Sequence, residues 1–562
     1  MKTSIFNKEI VSRWVVALTL WTAVMTATAA TRTWSGLGVN NDWQTIDNWD
    51  TVPVANDVLI FSGNNQVLNS NSFLDGTQFN GLIFGADAGS FILDGNAIKL
   101  AGPITNVSAN AQVINLAFTN TTAIPVYCQT NVTFAGRVSG GTTLTKTGPE
   151  KLILSNSGIA LNRLNLDGGT VDLASDFTLG PVNNGGTTLA GTGGTITSSG
   201  GRILLGGGNG SANGPDWFGG SSSPIIIEAT IADGVTLYNN VDYYNSGNLI
   251  LRGANTYTGG TGFQGTYVQV GVDCVGTVGA LESGPFGTGP LNFAYGHMSS
   301  DGATPRTILN DINFTGTMEL GNPSLTGKLT FSSAVNLSGG ARTVTANSEV
   351  QFDGALTNGG FVKAGAATVT LAGVNTYALG TTISSNRLII TGSILETGAF
   401  TLNNPTSIYT VDTSLKVGAL TLTSGTIDGS GAVTGTSYTV SSGRISANLG
   451  GDATLTKTGA GTVTLSGANS YTATVVNANA GILLHAKTSA LYNGETGSWT
   501  KEKITVLNGG TLAVNVGGSG EFTLADIATL RNNLTVGISS NGLRAGARIG
   551  FDTSNADGGD FN

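Results

Sequence analysis

The sequence predicts an all-β protein, a right-handed parallel β-helix with an N-terminal cap, and three observations carry that expectation. Short runs alternate apolar side chains with Thr or Ser, as in Thr462-Val463-Thr464-Leu465, Ala419-Leu420-Thr421-Leu422 and Lys328-Leu329-Thr330-Phe331. That period of two belongs to strands with one buried face. Gly, Thr, Ser and Asn interrupt every window in which a helical apolar stripe would run, so long helices are not expected. Finally, one pattern returns along the chain. The stretch GDATLTKTGAGTVTLSGANSYTAT at 451–474 is echoed by GGFVKAGAATVTLAGVNTYALGTT at 359–382, GGTTLTKTGPEKLILSNSG at 140–158 and SGNLILRGANTYTGGT at 246–261.

The recurring positions are specific. Lys457, Gly459, Val463, Leu465, Gly467, Asn469 and Tyr471 correspond in order to Lys363, Gly365, Val369, Leu371, Gly373, Asn375 and Tyr377. Lys146 and Gly148 repeat the first half of the pattern, and Gly253, Asn255 and Tyr257 the second. A strand with one apolar face and no helix to cover it can bury that face only against the next copy, which is how solenoids are built. In such a coil Val369, Leu371, Val463 and Leu465 point inward, while Thr368, Thr370, Thr462 and Thr464 point outward. Gly supplies turns needing positive φ, and Asn at turns can ladder its amide from coil to coil. With coils of roughly 20 to 25 residues about 4.8 Å apart, the rod is on the order of 100 Å long. Asn-Gly pairs at Asn80-Gly81, Asn358-Gly359, Asn493-Gly494 and Asn541-Gly542 leave room for hairpins and for irregular or sandwich-like insertions.

Composition narrows the function. The 562 residues include 84 Gly, and only 10% are charged, with a net charge of -9. Nucleic-acid binding, which needs a basic stripe, is disfavoured, as is a polybasic membrane-binding surface. Two His leave no room for a histidine-rich metal centre. No cofactor is expected.

Residues 1–30 read as a secretory signal peptide: Lys2, Lys8 and Arg13 precede an apolar stretch from Trp14 to Val24, and Ala27-Thr28-Ala29 forms a cleavage site. No later stretch approaches a spanning length, so the mature chain is expected to lack a transmembrane segment and to be secreted or held at the cell surface. Cys128 and Cys274 enter an oxidising compartment, but a chain this long stabilises itself by burial, so two unbridged thiols are favoured over a disulfide.

The stretch from Leu455 to Tyr471 resembles the autotransporter-associated β-strand repeat family, whose units read approximately Leu-x-Lys-x-Gly-x-Gly-x-Leu-x-Leu-x-Gly-x-Asn-x-Tyr-x-Gly-x-Thr. Ala473 replaces the following Gly, Ala367 and Glu150 replace the second Gly in two other copies, and the Gly-x-Asn-x-Tyr segment is missing after Leu154. The resemblance implies a parallel β-helical stalk of an exported or surface protein, commonly without catalytic activity.

The block from Thr33 to Gly63 is similar to the opening of such proteins. Its Trp34, Trp43 and Trp49 are expected to form a hydrophobic cap over the first coil, as repeat arrays require. The alternative is an exposed platform stacking on a sugar. The organisation expected is therefore a cap with first coils over 31–100, a repeat region over 101–520 and a C-terminal segment over 521–562. That last segment carries a short helix near Thr523 to Asn532, where Leu524, Ile527 and Leu530 fall at helical spacing. No barrel-like strand series ends the sequence, which suggests either another export route or a passenger fragment lacking its barrel.

Catalytic candidates are sparse. Asp552, Asp557 and Asp560 lack calcium-loop spacing and read as a solvated tail. Asp47 and Asp50 beside Trp49, and Asp216 beside Trp217, read as turn residues before glycan ligands. His297 and His485 have no Ser or Cys motif around them. The Gly-rich run from Leu205 to Gly210 lacks the Lys of a phosphate loop. The expectation is an exported, non-catalytic, structural or adhesin-like surface protein, meeting an extracellular glycan or cell-surface component. A carbohydrate-binding or carbohydrate-active protein on the same scaffold is the alternative.

Overall fold

A computed structural model of the chain describes residues 29–140, 143–180, 187–206, 216–217, 223–234, 241–244, 247–535 and 541–556. The expected leader therefore lies outside the described residues, except for Ala29 and Ala30. So do Asp557, Asp560, most of the Gly-rich run and the side chains of Asp216 and Trp217.

The chain winds into a parallel β-solenoid of about 19 turns. Each strand hydrogen-bonds the strand one turn back and one turn ahead, so identical positions superpose. Val350 lies beside Val369 and Val369 beside Leu388, while Phe352, Leu371 and Ile390 form the next column along. These residues are buried to 1% exposure or less, and the intervening Thr370 is not. The same holds for Val463 and Leu465 against Thr462 and Thr464. The alternation works because successive side chains of a strand point to opposite faces and one face has the solenoid interior. Aromatic columns form wherever Phe recurs at one position: Phe263, Phe293 and Phe314 stack in sequence, at 4.1 and 5.5 Å between ring centres.

Among the described residues the paired strands run parallel, apart from one hairpin, Val275–Thr277 with Ala280–Ser283, which projects from the stack. Asn80-Gly81, Asn358-Gly359, Asn493-Gly494 and Asn541-Gly542 do not close that hairpin. Asn358 instead takes a positive φ in the turn between the strands Leu356–Thr357 and Gly360–Ala364, and Asn493 takes one in a run of 3-10 turns between Ile482–His485 and Ile504–Val506. An amide ladder does exist on the outer surface. Asn313 donates to Asn292, Asn336 to Asn313 and Asn358 to Asn336, at 3.0, 3.3 and 3.0 Å.

The helix near the C-terminus spans Leu524–Leu534, opened by a capping box in which the Thr523 hydroxyl accepts the Asp526 N–H and Asp526 accepts the Thr523 N–H. It interrupts the stack without ending it. Gly542–Leu543 pairs with Ile504–Val506, and Arg548–Asp552 with Thr511–Asn515. The strands Gly542–Leu543 and Arg548–Asp552 thus add to the solenoid. Cys128 and Cys274 are unbonded thiols, both pushed up to about 11 by burial.

Candidate functional site

The N-terminal block closes the first turn. Trp34 and Trp49 meet edge to face at 5.1 Å, and Trp43 and Trp49 both pack on Phe61, whose ring stacks on Phe84 of the next turn at 5.4 Å. Each indole N–H is used: Trp34 donates to Asn65 O, Trp43 to Asn69 Oδ1 and Trp49 to Trp43 O. With exposures of 1%, 0% and 4%, these rings have no face left for a sugar. The reading of Trp34, Trp43 and Trp49 as glycan contacts is therefore corrected: they are the cap. The reason is the open end of a solenoid, an apolar surface that large aromatics bury most effectively. Asp57 ties the cap to the chain. Burial alone would raise its carboxyl, but the Arg32 guanidinium at 2.7 Å and the N–H groups of Val54 and Ala30 hold it below the usual range.

The repeat residues build a second kind of site inside the rod. Lys146, Lys363 and Lys457 occupy the inward column where neighbouring turns carry aliphatic residues. Val126 and Leu166 flank the first, Val344 and Ile383 the second, Val440 and Val476 the third. All three are fully buried. Their stems pack in the column and their ammonium groups reach a corner where backbone carbonyls receive them. Lys146 donates to Thr147 O and Gly148 O, Lys363 to Gly365 O and Ser385 O, and Lys457 to Thr458 O and Gly459 O, at 2.6 to 2.9 Å. The glycine two residues on holds φ of +82° at Gly148, +84° at Gly365 and +64° at Gly459, a left-handed turn that a side chain would strain. Among the described residues none of these lysines forms an ion pair. Burial accordingly pushes Lys363 and Lys457 down to about 8 and lowers Lys146 in the same direction.

Asn255, Asn375 and Asn469 join three consecutive turns. The side-chain oxygen accepts a backbone N–H from the turn before: Ile231 for Asn255, Leu356 for Asn375 and Leu449 for Asn469. The amide nitrogen donates to a carbonyl of the turn after: Pro285, Ser393 and Ala490 respectively. Gly253, Gly373 and Gly467, two residues earlier, lie where a Cβ would collide with a backbone carbonyl of the previous turn. Tyr257 and Tyr377 bury their rings and bond the hydroxyls of Thr261 and Thr381 at 2.6 and 2.7 Å. Tyr471 bonds His485 Nε2 at 3.3 Å instead. Every polar atom named here is spent on backbone or on another buried side chain, so the motif holds turns in register.

The other candidates fall elsewhere. Asp47 and Asp50 are exposed; Asp50 accepts the N–H groups of Thr33 and Thr51, a turn role. Asp552 accepts the Ser554 N–H, which with the Ser554 hydroxyl lowers its carboxyl. His485 stands in an inward column between Leu465 and Val514, and burial pushes its imidazole down to about 4. His297 lies near the surface, with Nε2 on Gly321 O at 2.8 Å and Nδ1 3.2 Å from Glu319. Among the described residues there is no group of three or more His, Cys, Asp or Glu side chains placed to hold a metal ion, and no helix is long and apolar enough to cross a membrane.

What sequence reasoning missed are the outward aromatics Tyr267 and Tyr295. Alternation from Phe293 would turn Tyr295 inward, but a register shift between Phe293 and Tyr295 reverses the parity and turns it out.

A family model described as passenger-associated-transport-repeat matches residues 245–265, 361–385 and 455–484. No curated protein and no solved structure matches the chain. The three matched stretches are those that place Asn255, Asn375 and Asn469 between turns; the stretch around Lys146 lies outside them and shares the lysine geometry. On its parallel solenoid the chain thus carries three copies of the passenger-associated-transport-repeat, of the autotransporter-associated repeat family.

Proposed function

We propose that this chain is the passenger of an exported protein, a non-catalytic stalk that holds or spaces something at the cell surface. The observation carrying this reading is the use of the family repeats: their Lys, Asn and Tyr are consumed in stitching turn to turn, as a rod requires and a catalytic cleft does not. The family to which the repeats belong supports export to the surface, and the leader-like start at Lys2 to Ala29 agrees with it. The depressed imidazole of His485, sealed in an apolar column, supports a structural role for that residue over acid–base work.

Two experiments test the reading. Brief proteolysis of intact cells expressing the full gene with an internal tag should release the solenoid without lysing the cells; a fragment protected until lysis would contradict surface display. The purified chain, screened on acidic and neutral polysaccharides with and without a chelator, should yield no new reducing ends. Turnover abolished by Asp47→Asn or Asp50→Asn would favour the carbohydrate-active alternative.

A further inference from the structure

The outer wall of turns near residues 261–320 holds a patch unlike the rest of the rod. Tyr267 and Tyr295 are exposed to 45% and 53%, and no other Tyr or Trp with a described side chain is as exposed. They sit on adjacent turns. Tyr295 pairs with Gln264 across the ladder, and its ring lies over Gly265, where a Cβ would meet the ring 2.9 Å away. Gly265 adopts φ of +101°, so the bend that seats the ring depends on the glycine twice over. Tyr267 stacks on His297 at 4.5 Å between ring centres, inclined by 30°. His297 is in turn fixed by Gly321 O and faces Glu319, whose carboxylate side chain is half-exposed. On the adjoining outward column stand the amides of Asn292 and Asn313, already ordered by their mutual hydrogen bond.

We propose that this patch is a binding surface for a neutral glycan. Two aromatic faces held rigid by a stacked imidazole and a glycine notch match the apolar faces of successive pyranose rings, at little cost in side-chain entropy. Ordered amides, with the carboxylates of Glu319 and of Asp242 in the column of Asn292, offer the donors and acceptors that sugar hydroxyls need. The charge selects among glycans. Glu319, which His297 faces, and Asp242, in the column of Asn292, are acidic groups of the patch, and the whole chain carries a net charge of -9, so an anionic polysaccharide meets repulsion where a neutral one does not. The rod would then be a reader of sugar along one wall, which goes beyond a stalk.

Affinity electrophoresis of the native chain tests this, with a galactomannan, a mixed-linkage β-glucan or alginate cast in the gel. At least one neutral polymer should retard the wild-type chain, and alginate should not. Y267A and Y295A should each weaken retardation about tenfold, Y267F and Y295F should keep most of it, and V374S, an exposed change on another part of the rod, should leave it unchanged. Thermal melts of all variants should coincide, because the altered side chains are at the surface. No retardation by either neutral polymer, equal retardation by alginate, or retardation untouched in the Y267A/Y295A double variant would overturn the proposal.

Discussion

The side-chain oxygen of Asn375 accepts the backbone N–H of Leu356, one turn earlier, at 2.9 Å, while its amide nitrogen donates to Ser393 O, one turn later, also at 2.9 Å. One residue thus fixes the register of three turns. Asn469 does the same for Leu449 and Ala490. Replacing either Asn by Ala leaves a buried N–H, of Leu356 or Leu449, without its side-chain acceptor, and at Asn469 takes the amide donor from Ala490 O as well, so each change should cost about 2 kcal/mol. Hydrogen exchange measured by mass spectrometry should locate the loss to the three turns concerned. Uniform loss along the rod would show that the stitch is not local.

Burial of one strand face predicts an asymmetry between neighbours. Leu465→Asp should destabilise by several kcal/mol, because an unpaired charge enters the column between Ile445 and His485, whereas Thr464→Asp should cost about 0.5 kcal/mol or less. Thermal melting of the two variants decides it; equal shifts would mean the strand has no single buried face.

The buried lysines give the rod a pH dependence of predictable sign. Lys363 and Lys457 titrate near 8 in the folded chain and near their ordinary 10.5 when unfolded. Between those values the unfolded chain binds more protons at these lysines, so stability rises as pH increases from about 8 toward 9 and is lost as pH falls through 8. The buried Cys128 and Cys274, raised from 9.0 to about 11, and above pH 10 the buried Tyr377 and Tyr471, act oppositely, so the gain levels off above about pH 9. Denaturant melts from pH 7 to 9 should show the rise, and the K363M/K457M variant should flatten it. An unchanged slope in that variant would assign the effect to other groups.

The cap predicts where unfolding begins. Trp43→Ala should cost roughly 3 to 5 kcal/mol, and because each turn contacts only its neighbours, exchange protection should fall first in the strands Val58–Phe61 and Leu82–Phe84 and remain in Val350–Phe352.

Much of this architecture was legible in the chain because it rests on local alternation. Val369, Leu371, Val463 and Leu465 declare their direction by period two, and the helix at Leu524–Leu534 by the helical spacing of Leu524, Ile527 and Leu530. The lysines were visible as a motif, yet their inward position was not, since lysine is almost always solvated; only the carbonyl-lined corner explains it. The three Trp were legible as a cap, with a platform left as the alternative, because a sequence carries aromatic content and not accessibility. Tyr295 was hidden by a register shift, and the hairpin at Val275–Ser283 by the absence of an Asn-Gly turn.

The central claim is that the chain is an extended stack of parallel turns, and small-angle X-ray scattering of residues 29–562 tests it most directly. About 19 turns spaced about 4.8 Å apart give a skewed distance distribution with a maximum near 90 to 100 Å. A symmetrical distribution ending near about 60 Å, the diameter of a compact globule of this length, would contradict the account.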